Sequence, residues 1–301
     1  MATERELSKR IKSVKNISQV TSALAAVSAS KASRAQRQAE ATRHYAAKAF
    51  HIINNLAAQP GASATTHPLM VVHEDVKNIG LILITSDRGL AGSYNVNMVA
   101  LAEKFLAANG TPAKIIAVGR KGRDLMVRRG YNVVASFDNI PDPPSFLDIS
   151  PVARVAIDAM LSGEVDQVFI GFSEFVNLVN RTPTISQLLP LRHMDLSNMP
   201  GAEYVSGVNV GEAALQSYTY EPSAEALLYD IVPRFTRLQV YQSLLESLAS
   251  EHSARMVAMN NATDNAAELV DILTLERNKA RQASITNEIL DIVGGASALS
   301  S

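Results

Sequence analysis

One short loop holds the side chains best suited to chemistry. In "SDRGLAGSYN", Asp87 and Arg88 precede Gly89 and Gly92, directly after an apolar run that predicts a buried strand. Backbone N–H groups at a glycine-containing turn that opens a helix can bind phosphate, and an Asp–Arg pair could take part in catalysis. The stretch lacks both the G-x-G-x-x-G and the G-K-[ST] patterns. We therefore favour a tight strand-to-helix turn, with Asp87 as a capping or surface ion-pair residue.

The other candidate chemistry is weaker still. The stretch "VGRKGRDL" resembles a second phosphate loop, but its basic residues suit the solvated start of a helix. The six histidines show no paired ligand spacing, there are no cysteines, and no G-x-S-x-G motif occurs. His252 lies in a helical apolar stripe, where a packed or hydrogen-bonded histidine is favoured over a pH switch. We expect no catalytic residue, no metal site and no cofactor.

The middle of the chain alternates strands with helices of ten to fifteen residues. Such alternation predicts βαβ units, and hence a mainly parallel, Rossmann-like α/β domain with helices on both faces of the sheet. The predicted strands are 76–85, 113–119, 132–137 and 166–175, with an edge strand at 182–191.

Both ends of the chain predict long helices. Residues 3–56 contain neither proline nor glycine, and their apolar residues fall at helical spacing: Leu7, Ile11, Val14, Ile17, Leu24 and Val27, followed by alanines. The second helix covers about 222–293, with a seam of alternating three- and four-residue steps from Leu238 to Leu273 that thins to alanine. Gly294 and Gly295 are expected to end it.

The simplest geometry folds these two helices together as an antiparallel pair. Residues 1–57 carry ten basic against three acidic side chains, and residues 222–301 carry six against ten. The opposite charges favour contact between the helices, although two unrelated solvated faces are an alternative. The second helix is longer by ~15 residues, which leaves a tip of ~22 Å without a partner in its own chain. Because the tip carries Ile285, Ile289, Ile292 and Val293, something outside the chain should cover it.

The domain organisation follows from these elements. No signal peptide and no membrane-spanning segment are expected. A polar loop at 192–211 is expected to be mobile. We divide the chain into an N-terminal coiled-coil helix at 1–57, a linker at 58–75, the α/β domain at 76–207 and a C-terminal region at 208–301.

Five stretches resemble the gamma subunit family of the rotary, F-type ATP synthase, in order along nearly the whole chain. They are "LSKRIKSVKNISQVTSALAAVSASK", "ITSDRGLAGSYN", "PTISQLLPL", "ASEHSARMVAMNNATDNAAELV" and "NKARQASITNEILDIVGGA". The first stretch departs from the family pattern, because Ser22, Leu24 and Ala26 replace a lysine and two methionines. The coupling role of that lysine is therefore not carried over. The loop "GLAG" lacks the frequent cysteine.

The resemblance implies a central rotor shaft. The terminal helices would form a left-handed antiparallel coiled coil inside a hexamer of three alpha and three beta subunits. The α/β domain would lie below the hexamer with the epsilon subunit, on the membrane ring of c subunits, and the shaft would transmit torque between the ring and the hexamer. Gamma itself would be non-catalytic.

The resemblance also implies roles for particular residues. Residues Arg281, Gln282 and Thr286 would contact a beta-subunit loop, and Arg255 would serve coupling, with an ion pair inside the coil as its alternative. The isoleucines Ile285, Ile289 and Ile292 would form an apolar bearing at the tip. The turn from Asp87 through Arg88 and Gly89 to Gly92 would lie below the hexamer.

A bacterial origin is expected, with the protein peripheral to the cytoplasmic face of the cell membrane. The alternative function is a stand-alone α/β nucleotide-binding protein or enzyme with helical dimerisation arms.

Overall fold

The computed structural model describes residues 3–57, 67–73, 75–191, 221 and 223–299. Its contacts separate the chain into two compact units. One unit combines Met1–Ser28 with Arg255–Ser301, and the other comprises Ala29–Ala254. The long helices α1 (Glu4–Ala57) and α5 (Ala224–Leu299) each contribute to both units.

The first unit is an antiparallel helix pair. Leu7 and Ile11 near the start of α1 pack against Leu273 of α5. Farther along α1, the Thr21 hydroxyl lies 2.7 Å from the hydroxyl of Thr263, which comes earlier in α5. Partners that advance on one helix while they retreat on the other define an antiparallel arrangement. Residues 281–293 of α5 are all exposed, so the tip predicted from the difference in helix length is present in this unit.

The buried stripe of α1 differs from the predicted one. Ile17 and Val27 were expected in the seam, but they are 53% and 54% exposed. Alternating steps of four and three residues fit a coiled coil. In the middle of α1 these steps fall on small and polar residues, which let two helix axes approach closely. The buried positions described on α1 are Leu7, Ile11, Thr21, Ala25, Ser28, Ala32, Ala35, Ala39, Ile53 and Leu56.

The second unit contains a five-stranded sheet in the order β3-β2-β1-β4-β5. Strands β1 to β4 are parallel, and β5 is an antiparallel edge strand, as the sequence predicted. The elements are β1 (Ile79–Ile84), α2 (Tyr94–Asn109), β2 (Ala113–Val118), α3 (Arg120–Arg128), β3 (Val133–Phe137), α4 (Phe146–Leu161), β4 (Gln167–Phe175) and β5 (Arg181–Leu189).

Both faces of the sheet are buried. Along β1, Ile79, Leu81 and Leu83 join the layer formed with α2 and α3. Ile82 and Ile84 join the opposite layer, which includes α4 and the early part of α5. This alternation is the two-residue period of a strand, and coverage of both faces explains why β1 is apolar throughout.

Two expectations need a further comment. The second helix was predicted to end at Gly294 and Gly295, and this was wrong, because α5 continues to Leu299. A helical glycine costs only ~1 kcal/mol relative to alanine, and the following "ASAL" contains good helix formers. The polar loop at 192–211 lies entirely outside the described residues, as do 58–66 of the linker. The division into four domains stays a prediction. None of the described helices is both long and apolar enough to cross a membrane.

Candidate functional site

The loop after β1 ties neighbouring loops together. The Asp87 carboxylate accepts hydrogen bonds from the backbone N–H of Arg120 (3.1 Å) and of Asn139 (2.8 Å). These residues follow β2 and β3, so one side chain joins three loops at the carboxyl edge of the sheet. Gly92 adopts a φ of 57°, which suits the tight turn, whereas Gly89 does not enter the left-handed region. This geometry agrees with a structural role for Asp87.

The start of α3 is the second candidate phosphate loop. Its first three N–H groups are the ones that would point at an anion. The N–H of Arg120 donates to Asp87, that of Lys121 to the Ser86 carbonyl (3.0 Å), and that of Gly122 to the Thr85 hydroxyl (2.9 Å). The loop after β1 therefore occupies the donors that a phosphate would need.

The crevice at the centre of the sheet is also filled. Strand order reverses between β1 and β4, and parallel α/β sheets usually bind ligands outside the carboxyl ends of such a pair. Here α5 lies in that position. The Ser173 N–H of β4 donates to the Ser247 hydroxyl (3.1 Å), and the Tyr94 hydroxyl at the start of α2 donates to the Ser247 carbonyl (3.2 Å). Helix α5 therefore occupies the crevice in which other parallel α/β folds bind a nucleotide.

A charged junction joins both long helices to the α/β domain within the second unit. Asp142, in the loop between β3 and α4, accepts from Lys31 Nζ of α1 at 2.8 Å and lies 3.1 Å from His252 Nε2 of α5. The hydrogen bond with His252, and then that with Lys31, holds the pKa of the Asp142 carboxyl well below its usual range, although burial raises it. His252 is thus a buried, hydrogen-bonded histidine.

The tip residues proposed to contact a partner lie together on exposed helix. Arg281, Gln282 and Thr286 are all exposed, and the Thr286 hydroxyl donates to the Gln282 carbonyl at 2.9 Å. The bearing residues Ile285, Ile289 and Ile292 are also exposed, which is unusual for isoleucine. Within this unit the two sets therefore share one surface, and their roles stay predictions.

Arg255 and several missed residues lie elsewhere along α5. Arg255 is half-buried, in the same unit as the tip. Sequence reasoning did not identify Asp142, Ser247 or Ser250, which carry the contacts between α5 and the α/β domain. The one available signal was the run of serines three residues apart at 247, 250 and 253.

Comparison with known proteins supports the resemblance seen in the sequence. The family model described as ATP synthase matches residues 3–299. The ATP synthase gamma chain of Moorella thermoacetica is 43% identical over 299 residues, which span 99% of this chain and 100% of that one. The gamma chain of Chloroflexus aurantiacus is 43% identical over 304 residues and covers 100% of both chains.

Solved structures show the same fold. A chain in the Euglena gracilis mitochondrial ATP synthase (OSCP/F1/c-ring, rotational state 3) has a TM-score of 0.67 at 20% identity, and the match covers 98% of this chain and 94% of that one. A chain in the central stalk/c-ring structure from Tetrahymena thermophila has a TM-score of 0.61 at 24% identity, covering 81% and 99%. The family expected from the sequence is confirmed, and this chain belongs to the ATP synthase gamma-chain family.

Proposed function

We propose that the chain is the non-catalytic central shaft of an F-type ATP synthase, which transmits torque between a membrane ring of c subunits and a hexamer of alpha and beta subunits. The observation that carries the proposal is the helix pair of the first unit. It is slim because its seam includes Thr21, Ala25 and Ser28, and α5 extends beyond it as exposed helix. A narrow rod with an exposed apolar end suits rotation inside a sleeve of other subunits.

The apolar and the polar residues of the tip would have different functions. Apolar contact has no directional preference, so Ile285, Ile289 and Ile292 can slide in an apolar sleeve. Arg281, Gln282 and Thr286 would form charge-assisted or neutral hydrogen bonds to a beta-subunit loop, which hold one angle and break at the next. Arg255 would act in coupling farther down the coil.

The remaining partners are proposed for the second unit. The α/β domain would contact the epsilon subunit and the c ring, with the turn from Asp87 to Gly92 below the hexamer. The protein would be a peripheral part of a membrane-bound complex, on the cytoplasmic face of a bacterial cell membrane, in line with its relatives. The alternative of a nucleotide-binding enzyme is disfavoured because α5 fills the crevice between β1 and β4.

Reconstitution tests the proposal. Mixing the chain with alpha and beta subunits should produce a complex whose ATP hydrolysis turns a probe attached to this chain, and the chain alone should not bind ATP. ATP binding by the isolated chain, together with no effect on alpha–beta ATPase activity, would refute the shaft function.

A paired substitution tests the tip contacts. Replacing Arg281 and Gln282 with alanine should weaken the coupling of ATP hydrolysis to proton pumping, or assembly, with helix content unchanged. Lys279→Ala is the matched control, since it removes a neighbouring exposed cation from the same helix. Unchanged ATPase and pumping in the double variant would remove both residues from the contact.

A further inference from the structure

Strand β4 extends beyond the strand that covers one of its edges. The pairing of β1 with β4 ends at Leu83 and Gly171, but β4 continues to Phe175. On its other edge Ser173 forms a non-hydrogen-bonded pair with Pro183 of β5, since its N–H and carbonyl both point away from β5. The backbone N–H and carbonyl of Ser173 therefore need partners outside the sheet, because both groups are buried polar groups.

Helix α5 supplies these partners with side chains. The Ser173 N–H donates to the Ser247 hydroxyl at 3.1 Å, and the Ser173 carbonyl accepts from the Ser250 hydroxyl at 3.0 Å. One turn farther on, the Ser253 hydroxyl donates to the carbonyl of Leu178, in the turn between β4 and β5. A serine hydroxyl both donates and accepts, so α5 replaces the missing neighbouring strand. We call Ser247, Ser250 and Ser253 with these partners the serine joint.

Burial and a second contact strengthen the joint. All three serines are buried, so water does not compete for these hydrogen bonds. From the β1 side, the Tyr94 hydroxyl donates to the Ser247 carbonyl at 3.2 Å. Helix α5 is therefore held at Ser247 both by β4 and by the start of α2.

We propose that the serine joint is one of the points at which torque passes between the α/β domain and the shaft helix. The inference rests on the proposed shaft function and adds the residues that make the attachment stiff. Torque about a shaft acts as a sideways force at its surface. The hydrophobic effect is non-directional, whereas a hydrogen bond weakens steeply as its distance and angle depart from ideal. The serines are thus positioning residues that keep the domain from slipping around α5.

Single-molecule rotation of the assembled complex tests the joint. The chain has no cysteine, so one introduced cysteine gives a single bead attachment on this chain, with the other subunits free of reactive cysteine: Lys104→Cys on α2 of the domain, or Glu40→Cys on α1. The test variant is Ser247→Ala with Ser250→Ala. The control is Ser243→Ala, because Ser243 is equally buried on α5 while its hydroxyl has no hydrogen-bond partner among the described residues. The measurement is the angular variance of the bead during catalytic pauses.

Comparing the angular variance at the two bead positions distinguishes loss of the serine joint from a general loss of stability. With the bead on the domain, the double variant should raise the variance about 1.5-fold, since it removes two of the six hydrogen bonds described between α5 and the α/β domain, and Ser243→Ala should not. With the bead on α1 neither variant should change it. Ser250→Thr as a single substitution, which keeps the hydroxyl, should leave the variance at its wild-type value.

Two outcomes would overturn the proposal: an unchanged variance with the bead on the domain, or equal broadening at both bead positions. Should the double variant fail to assemble, Tyr94→Phe must give a smaller broadening of the same bead, and none would equally overturn it. A wild-type chain that does not rotate would instead refute the shaft function itself.

Discussion

Loss of the Asp142 carboxylate should destabilise the second unit by an amount set mainly by one of its two partners. Asp142 bonds to His252, whose side chain is 7% exposed, and to Lys31, whose side chain is 43% exposed. Asp142→Ala removes both interactions, whereas Asp142→Asn keeps an oxygen that can accept a hydrogen bond but loses the charge. The two variants therefore separate the hydrogen bond from the ionic interaction.

The magnitudes follow from burial. A hydrogen bond to a charged group contributes about 1.5–3 kcal/mol, and the bond with His252 falls in this range because the histidine is buried. The bond with Lys31 is screened by water and should contribute less than about 0.5 kcal/mol. We expect Asp142→Ala to cost about 2–3 kcal/mol and Asp142→Asn about 1 kcal/mol.

The assay is urea unfolding followed by circular dichroism, in two double-mutant cycles. One cycle combines Asp142→Asn with His252→Gln, and the other combines it with Lys31→Met. The coupling free energy should be clearly larger in the histidine cycle. A coupling energy with Lys31 equal to or above that with His252, or no measurable coupling in either cycle, would refute the reasoning from burial.

The same variant predicts a pH dependence with a definite sign. Because the folded protein holds the pKa of Asp142 below its usual range, the carboxylate contributes stability above its unfolded pKa of about 4, and this contribution is lost as the pH falls toward the folded pKa. The stability difference between the wild type and Asp142→Asn should therefore narrow below about pH 4. A difference that grows on acidification would contradict the sign.

Three further substitutions test the fold and the tip. Gly119→Ala should cost about 3 kcal/mol or more in urea unfolding, because φ is 92° and a Cβ would lie 2.2 Å from the Thr85 carbonyl oxygen; a loss within error would contradict that approach. Thr263→Val should cost about 1 kcal/mol by thermal unfolding, since it removes the bond to Thr21, and a stabilised variant would contradict it. Ile285→Leu should leave the rotation rate of the reconstituted complex unchanged while Ile285→Asp lowers it several-fold, and equal rates would exclude an apolar bearing there.

The sequence predicted the elements well because their signals are local. A continuous apolar run rich in isoleucine defines β1, and a long stretch without proline or glycine defines α1. The predicted strands lie within a few residues of the observed ones. The end of α5 was missed because a glycine pair is only a weak helix stop when alanine, serine and leucine follow it.

The seam of the coil shows where local reasoning fails. Ile17 and Val27 were expected inside because they are apolar, but Thr21 and Ser28 are buried instead. The predicted seam was traced through large apolar residues. The observed seam runs through small side chains, because these allow the partner helix to approach closely. The exposed Ile17 and Val27 are compatible with contact to surrounding subunits, and the sequence of a single chain does not show such contacts.

The sequence by itself determined the order of helices and strands, the helical ends with an α/β domain between them, and the exposed apolar tip, because period and composition encode these along the chain. The family followed from the resemblance of five motif stretches. Only the tertiary structure decided that α5 fills the central crevice and that Asp142 joins Lys31 and His252 from 111 and 110 positions away. Such contacts are fixed by packing between distant segments, which buries polar groups and so selects their partners.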